Sequence, residues 1–237
     1  MSLFNKFFGK GNNKGPVHTD FQEGDVFFTE KEGKFRTYKL LKIEEETHTF
    51  HVKAYEEINE VPEPDLIDSL QINIHHFPVD PNGFEHPVFI LNQEVTEDDL
   101  LGYFEYIKQT QNIDEIVKYA KGFYLQANAL SKNQDHTTAI HKYSQAIDLL
   151  PNFFEAIDNR AFSYMDLGKW TEAIEGFKQS LAANPNALLP IFSIGECYFK
   201  LKDYAQAKGY FEQAVQIAPE HPKPKEFLAL TNKHLNG

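Results

Sequence analysis

Residues 120–153 read AKGFYLQANALSKNQDHTTAIHKYSQAIDLLPNF, residues 154–187 read FEAIDNRAFSYMDLGKWTEAIEGFKQSLAANPNA, and residues 188–221 read LLPIFSIGECYFKLKDYAQAKGYFEQAVQIAPEH. Stacked as three rows of thirty-four, they repeat one pattern without a gap. Small residues recur at the eighth place (Ala127, Ala161, Gly195), the twentieth (Ala139, Ala173, Ala207) and the twenty-seventh (Ala146, Ser180, Ala214). Aromatic residues recur at the twenty-fourth place (Tyr143, Phe177, Phe211) and proline at the thirty-second (Pro151, Pro185, Pro219). Two helices approach closely only where side chains are small, so the small places mark a helix–helix contact in each row. Phe123, Ile157 and Ile191 at the fourth place form an inward stripe on each first helix, with Leu130, Tyr164 and Tyr198 at the eleventh. The aromatics and Ile147, Leu181 and Val215 do the same on each second helix. His136, Trp170 and Tyr204, at the seventeenth place, fall where each second helix begins, and each proline stops it.

A period of 34 with small, aromatic and proline positions in this order resembles the tetratricopeptide repeat. The resemblance implies stacked helix pairs, because one such pair cannot bury its own apolar face and three can. Pro222 to Leu235, with Phe227, Leu228 and Leu230, reads as the helix that caps the last pair.

The family resemblance also implies a groove, lined mainly by the second, fifth, sixth, ninth and twelfth places of each first helix. The binding residues expected there are Tyr124, Asn128, Asn159, Phe162, Phe192, Glu196 and Phe199. One subset of the family grips the C-terminal carboxylate of heat-shock chaperones with two Asn and three basic residues. Asn128 and Asn159 match the two Asn positions, but the basic positions fall on Tyr124, Leu189 and Ser193. The resemblance therefore implies Asn side chains bonding an extended backbone, without the charge that neutralises a terminal carboxylate. Glu155, Asp158 and Glu196 point to a neutral or basic protein or peptide as the partner.

The rest of the chain is of another kind. Of the 237 residues, 1–118 hold 11 Lys and Arg against 23 Asp and Glu, a net −12, whereas 119–237 are neutral. An acidic surface disfavours nucleic acid and anionic membrane. No apolar run approaches the ~18 residues that span a bilayer, and the start is too short and interrupted for a secretory leader. The single Cys197 excludes an intramolecular disulfide and suits a reducing, cytoplasmic compartment; its neighbours Gly195, Tyr198 and Phe199 predict a buried, inert thiol.

Residues 1–20 read as a short amphipathic start (Phe4, Phe7, Phe8) and a Gly- and Asn-rich flexible segment. Strands are predicted at Asp25–Thr29, Phe35–Ile43, His48–Tyr55, Leu70–Phe77 and Pro87–Leu91, with turns at Glu32-Gly33 and Asp80-Pro81-Asn82-Gly83. Thr96 followed by Glu97, Asp98 and Asp99 reads as a helix start, the acids serving the helix dipole. Asn112 with Glu115 caps a further helix whose apolar spacing runs unbroken from Ile113 to Phe123. The opening Gly24-Asp25-Val26-Phe27 and the strand ending Leu40-Leu41-Lys42-Ile43 are similar to some small bacterial immunity-type domains, a resemblance that implies an acidic antidote covering a basic toxin.

No Gly-rich phosphate loop, His-Glu-x-x-His, Cys-x-x-Cys or nucleophile-elbow serine occurs. His48, His51, His75, His76 and His86 cluster in the strand region, and a metal-dependent enzyme using them is a further alternative. The expectation is an α+β protein: a flexible segment (1–20), a small β-rich domain forming a bent antiparallel sheet or partly open barrel (21–95), connecting helices (96–119), three repeats (120–221) and a capping helix (222–237). No catalytic residue, metal or cofactor is assigned, and the expected function is that of a scaffold or adaptor.

Overall fold

The computed structural model describes residues 21–236; the amphipathic start and flexible segment read at residues 1–20 lie outside the described residues. Two compact units divide between Thr110 and Gln111.

Among its described residues the first unit holds five antiparallel strands, β1 (Asp25–Lys31), β2 (Lys34–Glu44), β3 (Thr49–Tyr55), β4 (Ile72–Val79) and β5 (Val88–Asn92), in the order β4-β3-β2-β1-β5. The sheet is open, so of the two forms the alternation allowed, the barrel does not close. The β1–β2 hairpin turns on Glu32 and Gly33, both at positive φ (55° and 75°), which gives the backbone twist that a tight hairpin needs. Bulges between Val26 and Phe27, and between Leu40 and Lys42, bend the central strands. One sheet face buries Phe27, Leu40, Phe50 and Val52, with Phe21 and Phe84 edge-on to Phe27 and Tyr38 stacked on it.

The opposite face carries His51, Lys39 and Lys53 in alternate register. It is met by α1 (Leu101–Gln109), whose Tyr103 rests on His51 and His76. Gly102 lets α1 come this close: a Cβ there would stand 2.6 Å from His76 Cβ.

The second unit is seven helices: α2 (Ile113–Lys132), α3 (His136–Leu149), α4 (Phe154–Asp166), α5 (Trp170–Ala183), α6 (Leu188–Lys200), α7 (Tyr204–Ile217) and α8 (Pro222–Asn236). The first is unbroken, with Asn112 Oδ1 accepting from Glu115 N. His136, Trp170 and Tyr204 each open a second helix, and each repeat proline stands two residues past its end. Every fourth-, eighth-, twentieth-, twenty-fourth- and twenty-seventh-place residue is buried.

The turn inside each pair has its own cause. The fifteenth-place residues Gln134, Gly168 and Lys202 adopt positive φ of 63°, 70° and 62°. The next residue's N–H then reaches back to the helix it has left: Asp135 to Leu130, Lys169 to Tyr164, Asp203 to Tyr198, at 2.8–3.0 Å. Asp135 and Asp203 also cap the following helix through Thr138 N and Gln206 N. Of the residues expected to seat the capping helix, Phe227 and Leu228 pack on the last repeat, whereas Leu230 is exposed on the turn facing away.

Candidate functional site

Each first helix presents its fifth, sixth and ninth places on one side, and in the first two repeats these side chains meet. Tyr143, on α3, donates its hydroxyl to Asn128 Oδ1 on α2 at 2.6 Å. Asn159, on α4, donates Nδ2 to the same Oδ1 at 3.1 Å and to the Tyr124 hydroxyl at 3.2 Å. Three polar side chains on three helices thus meet at Asn128 Oδ1, and Tyr124 joins them through Asn159 Nδ2. Burial, with Tyr124 nearby, pushes the Tyr143 hydroxyl up to about 12, so it stays a proton donor. Asn128 Nδ2 makes no bond within the described residues, which leaves a half-buried amide donor on this face. Phe162 is half-buried one turn beyond, edge-on to Phe177 with ring centres 5.0 Å apart.

The third repeat departs from the expectation. Phe192 is 9% exposed, packed between Phe211 and Phe227 at 5.6 and 5.4 Å. Phe199 rests on Phe227 and on His234. The capping helix covers both, because the outward side of the last first helix is where a following helix must pack to end the array. Phe192, expected in the groove, is therefore buried beneath the capping helix. Ser193 is buried as well, with its hydroxyl unpartnered.

Glu196 remains half-buried, and burial raises its carboxyl pKa against the pull of Lys223 and Lys200. Asp158, on α4, is likewise raised by burial, and its Oδ1 has no hydrogen-bond partner. Cys197 lies fully buried; burial, then the Glu196 charge, pushes its thiol up to about 12, so it is not a nucleophile at neutral pH.

In the first unit, His51 and His76 stack at 5.1 Å between ring centres, with His51 Nδ1 2.9 Å from His76 Nε2. Glu44 Oε1 lies 3.1 Å from His51 Nε2. A proton on His76 Nε2 makes it the donor to His51 Nδ1. His48 and His86 lie instead at positive-φ turns, and His75 is exposed on β4. Among the described residues no three His, Cys, Asp or Glu side chains form a group that could hold a metal ion. Asp99 does more than serve a helix dipole: it bonds Lys39 and Lys53 inside the unit, a long-range contact for which the local sequence carries no sign. Among the described residues no helix is long and apolar enough to cross a membrane.

Comparison with known proteins places the repeat half. The tetratricopeptide repeat family model matches residues 153–220, which span the second and third helix pairs of the repeat unit. Similar curated proteins include small glutamine-rich tetratricopeptide repeat-containing protein 2 of Mycosarcoma maydis, 26% identical over 124 residues, 52% of this chain and 35% of that protein. DnaJ homolog subfamily C member 7 of Mus musculus is 28% identical over 104 residues, covering 44% and 21%. Hsp70-Hsp90 organizing protein 3 of Arabidopsis thaliana is 29% identical over 101 residues, covering 43% and 18%. The chain thus spans about a fifth to a third of the length of these relatives, which are eukaryotic. Among solved structures, the first repeat domain of Spaghetti (RPAP3) bound to an HSP90 peptide is similar with a TM-score of 0.49 at 21% identity, covering 51% of this chain and 96% of that one.

Proposed function

We propose that this protein is a non-catalytic adaptor whose repeat unit holds an extended segment of a partner protein across Tyr124, Asn128, Asn159 and Phe162. The observation that carries the reading is the tie at Asn128 Oδ1. The network orients the Asn128 amide, so Nδ2 is held ready to donate to a main-chain carbonyl of the bound segment. Phe162 adds apolar area beside it, and the half-buried acids Asp158 and Glu196 favour a neutral or basic segment. Where a carboxylate-gripping groove needs three cations, Tyr124, Leu189 and Ser193 stand, so a free C-terminus is not required. The names of the relatives, among them an Hsp70-Hsp90 organizing protein, fit an adaptor role. The acidic first unit serves as a second interaction module.

The test is a peptide array of internal segments synthesised with free and with amidated C-termini, followed by calorimetric titration of the selected peptides. Parent, Asn128→Ala, Asn159→Ala and Phe162→Ala proteins are compared, with circular dichroism as the folding control. The expected selection is for Lys- or Arg-containing segments, indifferent to amidation and weakened by ~1–2 kcal/mol or more in each folded variant. Selection that demands a free carboxylate, or affinity untouched in all three variants, refutes the reading.

A further inference from the structure

We propose that the first unit binds a small organic anion, a carboxylate or phosphate group on a short apolar body, in the cavity floored by Lys39 and Lys53. This site stands apart from the repeat groove and does not depend on the reading given for it.

The cavity measures about 360 Å³ and is lined by both lysines, Tyr55, Asp99 and Thr96, with Ile67, Leu70 and Ile72 as its apolar wall. That is within the size range of small-molecule sites, which are mostly apolar with a few fixed polar groups. Its floor is charged and largely buried. The Lys39 and Lys53 side chains are 5% and 10% exposed, and between them lies one carboxylate, Asp99.

Lys39 Nζ donates to Asp99 Oδ2 at 2.7 Å and to the Glu94 carbonyl at 2.8 Å. Lys53 Nζ donates to Asp99 Oδ1 and stands 5.4 Å from the centre of the Tyr55 ring. Thr96 N takes a second bond to Asp99 Oδ2, so both carboxylate oxygens are engaged. Two ammonium groups offer six N–H donors in all, and the acceptors just named use fewer.

Lys39, Lys53 and Asp99 together carry one net positive charge in the buried floor. Burying a charge without a counter-charge is costly, and a bound anion would offset that cost. Lys53 stays charged for a reason visible in the same contacts. Burial pulls Lys53 down, but the Asp99 bond and the Tyr55 and Asp99 charges outweigh it and raise its pKa.

Two other carboxylates face this region, Asp68 at the mouth, bonded by Gln93 Nε2, and Glu94. Both residues are exposed, where water and salt screen them, whereas the buried ammonium groups are not screened. Ile72 is 41% exposed beside the cavity on edge strand β4. An apolar tail on the ligand would cover it.

The experiment is amide and Lys-side-chain NMR titration of the full chain with sodium acetate, sodium hexanoate and sodium phosphate, each at ionic strength matched with chloride. Saturable shifts centred on Lys39, Lys53, Tyr55 and Thr96 are expected. Hexanoate binding more tightly than acetate assigns the carboxylate with an apolar body, and phosphate saturating first assigns the phosphate. Lys53→Met leaves Lys39 and Asp99 as a neutral pair and should weaken the binding about tenfold or more, as loss of a charged hydrogen bond does. Ile72→Glu, at an exposed position, should weaken it several-fold through repulsion even if Lys53→Met does not fold. Absence of saturable shifts for all three anions overturns the proposal. So does binding unchanged in Ile72→Glu and in folded Lys53→Met.

Discussion

Two alanine substitutions in neighbouring helices should have opposite effects. At Gly195 an added Cβ would land 2.6, 2.8 and 3.1 Å from three ring carbons of Phe211. That ring is fully buried, with Phe192 at 5.6 Å and Phe227 at 5.4 Å, so it cannot swing aside without moving the capping helix. Overpacking of this kind costs about 1–3 kcal/mol. At Gly209, in the interior of α7, an added Cβ meets nothing within 4 Å. There only the helix-propensity gain of glycine to alanine acts, up to about 1 kcal/mol. Both glycines are helical, so that gain is common to the two variants and cancels in their difference. Gly195→Ala should therefore lie about 1–3 kcal/mol below Gly209→Ala, and Gly209→Ala slightly above the parent. Thermal and urea unfolding followed at the helix band of circular dichroism reads the difference as several degrees in Tm. Equal stability of the two variants would falsify the packing assigned to the eighth and twenty-fourth places.

Three further outcomes follow from buried ionisable groups. Asp99→Ala strands two buried lysines and should cost about 3–5 kcal/mol in urea unfolding, against little for Asp98→Ala in an exposed position. Burial raises the Asp99 carboxyl, but bonds from Lys39, Lys53 and Thr96 N outweigh it and hold it at about 2; its stabilisation is complete above the ordinary carboxylate value of 3.8 and is lost as pH falls through about 2. His76 is lowered from 6.5 to about 4 by burial and then by the His51 charge, so the unfolded chain binds the proton first: its contribution is complete above 6.5 and is lost as pH falls through about 4. The stability difference between parent and His76→Gln should change across that window, and a difference constant with pH contradicts the assignment. Cys197 should resist a thiol reagent in the native protein and react at the rate of global unfolding; fast labelling at neutral pH would show that the thiol is accessible.

The repeat unit was legible in the sequence because each of its contacts repeats. A small residue at the eighth place recurs with an aromatic at the twenty-fourth in every row, so one local rule read three times gives the helix pairs, their stops and their core. The strands were legible for a similar reason, since alternation within one strand already fixes which residues share a face. What stayed hidden is what depends on residues far apart in the chain. The left-handed fifteenth place carries glycine only at Gly168, while Gln134 and Lys202 adopt the same φ because the 6→1 hydrogen bond holds them there. The burial of Phe192 follows from the presence of a capping helix against it, which no feature of its own row specifies. Asn128 and Asn159 could be singled out from their places in the repeat, but their union with Tyr124 and Tyr143 needs three helices packed together. Asp99, separated by 60 and 46 residues from Lys39 and Lys53, looks in sequence like one of several acids at a helix start. Sequence by itself determined the elements and the faces that had to be buried, since those follow from local periodicity and side-chain size. Tertiary structure alone decided which polar groups meet, because a hydrogen bond or ion pair is set by distances of about 3 Å between atoms that the chain order does not bring together.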